Sequence, residues 1–131
     1  MTTTPRAPDA PIVIVEDDVQ TAQIFGIELK DAGYHVQLLS TAEAALEFCD
    51  HAAPRAAVID LHLPAADGVE LIRRMRARDD LASTPIALIT GDYLFDEAVI
   101  QQLLSLQVRV HFKPIWSDEL IALVREMLAG P

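Results

Sequence analysis

Ala56-Ala57-Val58-Ile59-Asp60-Leu61-His62-Leu63-Pro64-Ala65-Ala66-Asp67-Gly68 is the stretch on which the reading of the fold turns. Four apolar residues in a row, with no polar alternation, suit a strand covered on both faces, as parallel strands are. The run stops abruptly on a carboxylate, and a proline soon follows. Working outward, Ile12-Val13-Ile14-Val15 and Ile86-Ala87-Leu88-Ile89 repeat the pattern. His35-Val36-Gln37-Leu38-Leu39 and Val108-Arg109-Val110-His111-Phe112 are more mixed and read as strands at the edge of a sheet.

Between these runs lie five helix candidates. Asp18 is placed to cap a helix reaching Ala32, with Gly33 where a left-handed residue is wanted. Ser40 with Glu43 makes a capping box for a helix to about Asp50. Gly68 to about Asp79, Tyr93 to about Leu106, and Ser117 to about Ala129 complete the set. Pro54, Pro64, Pro85 and Pro114 all fall between elements, where a missing N–H is tolerated. The pattern is α/β, (βα)5, and right-handed crossovers make it an open, doubly wound parallel sheet with helices on both faces. Residues 1–11 carry three Thr and three Pro without apolar periodicity and read as a flexible tail before a single domain over 12–131.

Composition narrows the function. The chain has 131 residues, 51% of them hydrophobic, which is enough for one core. Ten basic residues face twenty acidic ones, a net charge of −10, and four of the ten (Arg73, Arg74, Arg76, Arg78) share one short window. Such a surface repels phosphate backbones and anionic lipid, which argues against direct nucleic-acid or membrane binding. A lone cysteine, Cys49, rules out an internal disulfide and Cys-rich zinc. No apolar run approaches a membrane span, and the N-terminus lacks the apolar middle of a secretion signal. A cytoplasmic location is expected.

In open parallel sheets, ligands gather beyond the carboxyl ends of the strands. Here the first strand ends in Glu16-Asp17-Asp18, the third in Asp60, the fourth in Thr90-Gly91 and the fifth in Lys113-Pro114. Taken singly, each has a plain structural reading: Asp18 as a helix cap, Thr90 as a turn residue. Taken together, acids, a hydroxyl and an ammonium converge on one edge. Clustered carboxylates repel one another, and a hard cation resolves that repulsion. Mg²⁺ suits the site, since it takes one or two carboxylates with waters and phosphate oxygens.

These residues resemble the receiver domain of two-component response regulators. The likeness covers Ile12 to about Ala129 and rests on four motifs in order: Val15-Glu16-Asp17, Asp60 through Gly68, Thr90-Gly91 and Lys113-Pro114. It implies a flavodoxin-like fold with strand order 2-1-3-4-5. By the same resemblance, Asp60 would be the phosphoacceptor, taking a phosphoryl group from a histidine kinase or a histidine phosphotransfer protein. Asp17 would hold Mg²⁺ directly and Glu16 through water, with Asp60 and the His62 backbone carbonyl completing the protein ligands. Thr90 and Lys113 would contact the phosphoryl oxygens. Catalysis would extend only to the domain's own phosphorylation and dephosphorylation.

The chain departs from the family at Val110, where members often carry Tyr or Phe. Strand alternation is expected to place His111 and Phe112 differently from it. His62 and Asp92 occupy positions that, in the family, flank the phosphoryl group. An alternative is a phosphohydrolase with an aspartyl nucleophile, but such enzymes usually want a second Asp where His62 stands. A flavin or nucleotide module would want a Gly-rich loop after the first strand, which is missing.

Other features read structurally. Cys49 is expected to pack, the Arg73–Arg78 cluster to form a solvated helix face with Glu70 pairing Arg74, and the scattered histidines to bind no metal. Trp116 suits a core plug and an exposed anchor equally. In the fourth helix Phe95, Val99, Leu103 and Leu106 form a core stripe, leaving Ile100 and Leu104 outward. That outward pair predicts contact with a downstream protein or a second copy through helix four, strand five and helix five. With no effector segment after Pro131, the chain reads as a stand-alone regulator or as a receiver taken from a hybrid kinase.

Overall fold

The computed structural model describes residues 10–63, 66–91 and 97–129. In chain order the elements are β1 (Ile12–Val15), α1 (Val19–Asp31), β2 (Val36–Leu39), α2 (Ala42–His51), β3 (Ala56–Asp60), β4 (His62–Leu63), β5 (Ala66–Asp67), α3 (Gly68–Arg76), β6 (Ile86–Thr90), α4 (Glu97–Ser105), β7 (Val108–Phe112) and α5 (Ser117–Ala129). Five strands form one sheet in the order β2-β1-β3-β6-β7, parallel throughout. β4 and β5 form only a two-residue antiparallel rung between His62–Leu63 and Ala66–Asp67. Counted without that rung, the order is the expected 2-1-3-4-5.

Every residue of β1, β3 and β6 is buried, as their unbroken apolar runs require. The edge strand β2 is half-buried along its length, and β7 is mixed, with Val108 buried, Arg109 and Phe112 exposed, and Val110 and His111 half-buried. Alternation sends Val13, Val15, Ala57, Ile59, Ile86 and Leu88 to the face covered by α2, α3 and α4. The opposite set, with Ile12, Ile14, Val58 and Ile89, packs on Phe25 and Leu29 of α1 and on Leu120, Leu123, Val124 and Met127 of α5.

The local signals mostly held. Asp18 caps α1, and Gly33 takes φ +100° just past its end. Cys49 is buried in α2. Three details differ. Thr41, not Ser40, caps α2: its hydroxyl accepts from the Ala44 N–H at 3.0 Å, which leaves Glu43 one place too early for a capping box. α3 stops at Arg76 instead of near Asp79, because the chain turns to bury Leu81 completely. β2 begins at Val36, one residue later than His35. Residues 1–9 of the expected tail, the start of helix four from Tyr93, Phe95 and Asp92 lie outside the described residues.

Candidate functional site

β1 delivers its chain end to the same edge as β3, β6 and β7, and the register fixes what arrives there. Ile59 pairs with Val15, so Asp60 follows level with Glu16. Thr90 is opposite Phe112, and its carbonyl accepts from the Lys113 N–H at 2.8 Å, which carries the ladder one residue beyond β7. The Lys113–Pro114 peptide is cis.

Gly68 closes the site from behind. Its N–H donates to the Leu61 carbonyl at 2.7 Å, folding the first turn of α3 back onto the strand end. A Cβ at this position would stand 2.4 Å from the Asp60 carbonyl oxygen, so the backbone approach is available only to glycine. Asp67 caps α3 by accepting from the Glu70 N–H at 2.7 Å.

Glu16, Asp17 and Asp60 bring one carboxylate oxygen each within 4.8 Å of one another, the only such grouping of potential metal ligands among the described residues. Lys113 enters the group from the side. Its Nζ donates to Glu16 Oε1 at 2.7 Å and stands 3.5 Å from Asp60 Oδ1. Glu16 is only 4% exposed, while Asp17 faces solvent. Thr90 is fully buried. Asp18 stays outside the group. It spends its carboxylate on the Thr21 N–H and hydroxyl, and that hydroxyl bond holds its pKa below the usual value.

The charges oppose one another through burial. Desolvation pushes the Glu16 carboxyl upward; the Lys113 hydrogen bond pulls it back only in part, and Asp60 adds to the rise. Desolvation also works against the Lys113 ammonium, but the bond to Glu16 and the charge of Asp60 outweigh it, and its pKa is raised. The ammonium is therefore firmly held, and one cation sits against three acids. The remaining donors are hard carboxylate oxygens with no thiolate or imidazole among them, which fits a small divalent ion of the Mg²⁺ type.

Ile100 and Leu104 are outward, 42% and 62% exposed, while Leu103 is buried and Val99 and Leu106 pack against the core. Trp116 is an exposed residue, at 66%. It lines a groove of about 440 Å³ with Ile24, Phe25, Lys113 and Ile115. Phe112 corrects the sequence reading. Two residues on from Val110, it lies on the same face, and both line a groove of about 420 Å³ with Ile100, Leu103 and Leu104. The arginine cluster also divides. Arg73 and Arg74 are exposed and pair with Glu70 at 3.1 and 3.5 Å. Arg78 instead bridges Asp50 and Asp80, and Arg76 bonds backbone carbonyls.

A flavodoxin-like sheet with clustered acids, a hydroxyl and an ammonium on its carboxyl edge defines a phosphoryl-handling signalling domain of the receiver class. The chain belongs to the response regulator receiver domain family, whose model matches residues 12–125. It is 34% identical to the transcriptional regulatory protein PhoP of Escherichia coli K12 over 80 residues, 61% of this chain and 35% of PhoP. It thus matches about a third of that relative's length. Among solved structures, the signal receiver domain of a signal transduction histidine kinase from Syntrophus aciditrophicus superimposes with TM-score 0.80 at 26% identity, covering 92% of this chain and 90% of that one. The chemotaxis response regulator CheY4 of Vibrio cholerae shares the fold at TM-score 0.81 and 22% identity, over 91% of this chain and 98% of that one. The phosphohydrolase alternative is not favoured. No helix among the described residues is long and apolar enough to cross a membrane.

Proposed function

We propose that this receiver, residues 12–131 behind a tail over 1–11, takes a phosphoryl group onto Asp60 from the phosphohistidine of a sensor kinase or a phosphotransfer protein. The observation that carries the reading is the Asp60 carboxylate, nearly buried, with the Lys113 ammonium 3.5 Å away and Glu16 and Asp17 beside it. In the reaction, an Asp60 oxygen forms a bond to phosphorus as the phosphorus–nitrogen bond to imidazole breaks and the imidazole leaves. Positioning and electrostatics supply most of the rate for such transfers. Lys113 would neutralise a phosphoryl oxygen and Thr90 would donate its hydroxyl. Glu16, Asp17, Asp60 and the His62 carbonyl would hold Mg²⁺, which supplies further positive charge when bound.

The domain acts on no other substrate in this reading and works in the cytoplasm. It signals through protein contact on the face made by α4, β7 and α5, where Ile100 and Leu104 are exposed, to a downstream protein or a second copy. Its net charge of −10 speaks against direct contact with nucleic acid or membrane. The test is phosphoryl incorporation from acetyl phosphate or a cognate kinase. Asp60→Asn should abolish the label while the fold is kept, and label persisting on another Asp would sink the assignment.

A further inference from the structure

α4 is short of the means to hold itself. Of its nine residues only Leu103 is fully buried, and its last turn contains no basic residue to answer the negative end of the helix dipole. The helix ends by tightening. The Leu106 N–H is shared between the Gln102 and Leu103 carbonyls, and Gln107 turns left-handed at φ +58°, its N–H on the Leu104 carbonyl. That geometry leaves the Leu106 and Gln107 carbonyls without a partner in their own helix.

The partner comes from α3. Arg76 Nε donates to the Leu106 carbonyl at 2.8 Å, and Nη2 reaches the Gln107 carbonyl at 3.5 Å. The same guanidinium gives Nη1 to the Leu81 and Thr84 carbonyls at 3.1 and 2.7 Å. One planar fork therefore joins three segments, the end of α3, the loop before β6 and the end of α4, through backbone carbonyls alone. One turn back on α3, Arg73 supports the same contact. With its amide oriented to satisfy both sides, Gln102 accepts from Arg73 Nε at 2.9 Å and Nη2 at 3.1 Å. The bonds that reach α4 and the turn that ends it, at Gln102, Leu106 and Gln107, all lie at its C-terminal side.

We propose that Arg76 is a positioning residue that caps α4 from outside, fixing its C-terminal half to α3 as a pivot about which the N-terminal half, bearing Val99 and Ile100, turns. The cap stands independently of the phosphoacceptor reading, and the turning rests on it. With one fully buried leucine, a half-buried Val99 and a polar clamp at its C-terminal end, α4 can swing about the clamp at smaller cost than a helix seated on a full apolar stripe. The exposed pair Ile100 and Leu104 straddles that pivot, so a small rotation changes the surface they present together.

The test uses the full chain as wild type, Arg76→Met and Arg76→Lys. In native-state hydrogen exchange, Arg76→Met should speed the amides of Leu103 to Gln107 at least about tenfold, roughly 1.4 kcal/mol of opening, with α1 and α5 amides unchanged. Arg76→Lys should recover only part of the protection, because a point charge cannot serve carbonyls of three segments at once. Unchanged α4 amides in Arg76→Met, or an equal rise in every helix, would overturn the cap. If Arg76→Met does not fold, Arg76→Lys against wild type is judged by the same two outcomes. A second arm adds beryllofluoride as a phosphoryl mimic and follows methyl shifts. In wild type, Val99 and Ile100 should move while Leu103 and Leu106 stay; uniform movement along α4, or none, overturns the pivot and leaves the cap to the first arm.

Discussion

α4 and α5 flank the same edge strand, β7, from opposite faces, and they are held by different physics. α5 sets Leu120, Leu123, Val124 and Met127 into the core in an unbroken stripe, whereas α4 buries only Leu103 fully, with Val99 half-buried beside it, and leans on arginines of α3. Apolar burial is non-directional and sums over many contacts, so it resists displacement in every direction. A hydrogen-bond clamp is directional and local. One side of the charged edge is thus a fixed wall, and the other is a part anchored chiefly at one end.

The largest expected effect breaks the wall. Leu123→Ala should cost about 2–5 kcal/mol in chemical denaturation, as deletion of a fully buried leucine in a well-packed core does. Leu103→Ala should fall at the low end, about 2 kcal/mol, because α4 can settle onto the gap. If α4 proved the costlier of the two, the contrast would collapse. Both variants should be compared by denaturant midpoint at constant m-value.

Much of this was legible in the chain. Unbroken apolar runs at Ile12, Ala56 and Ile86 announced a covered parallel sheet, and the residues that end those runs announced its chemical edge. The outward pair on helix four followed from period alone. What escaped was set by distant partners. Nothing local tells Arg76 from Arg74, and only the fold brings the Leu106 carbonyl to it. Ser40 and Thr41 are both competent caps, and the sequence alone does not distinguish Thr41 as the one that accepts from the Ala44 N–H. The pairing of Lys113 with Glu16 spans 97 residues and no periodicity encodes it.

The next test lies where β7 runs into α5. The Lys113 pKa is raised in the folded state, so its contribution is fully present below about 10.5, its ordinary value, and is lost as pH rises through the folded value. Wild-type stability should therefore fall over that alkaline window, and Lys113→Met should lack that share of the fall. Parallel curves for the two proteins would remove the ion pair from the account of the edge. The smallest effect on stability belongs to Ile100→Glu with Leu104→Glu. Both positions face solvent, and each change should alter folding by no more than about 0.5 kcal/mol. Self-association or partner binding should nevertheless be lost, with phosphorylation untouched. Binding that survives the double change would move the output surface elsewhere.

The tight passage at Gly68 has a consequence for how the molecule could diversify. Because the first turn of α3 presses on the peptide after Asp60 with no room for a single methyl, the carboxylate takes its place from main chain, not from replaceable side chains. Substitutions can accumulate over α4 and the grooves beside it, redrawing what the domain shows to other proteins. The position of its acceptor would not drift with them, and a lineage of such domains could change listeners while keeping the same point of address.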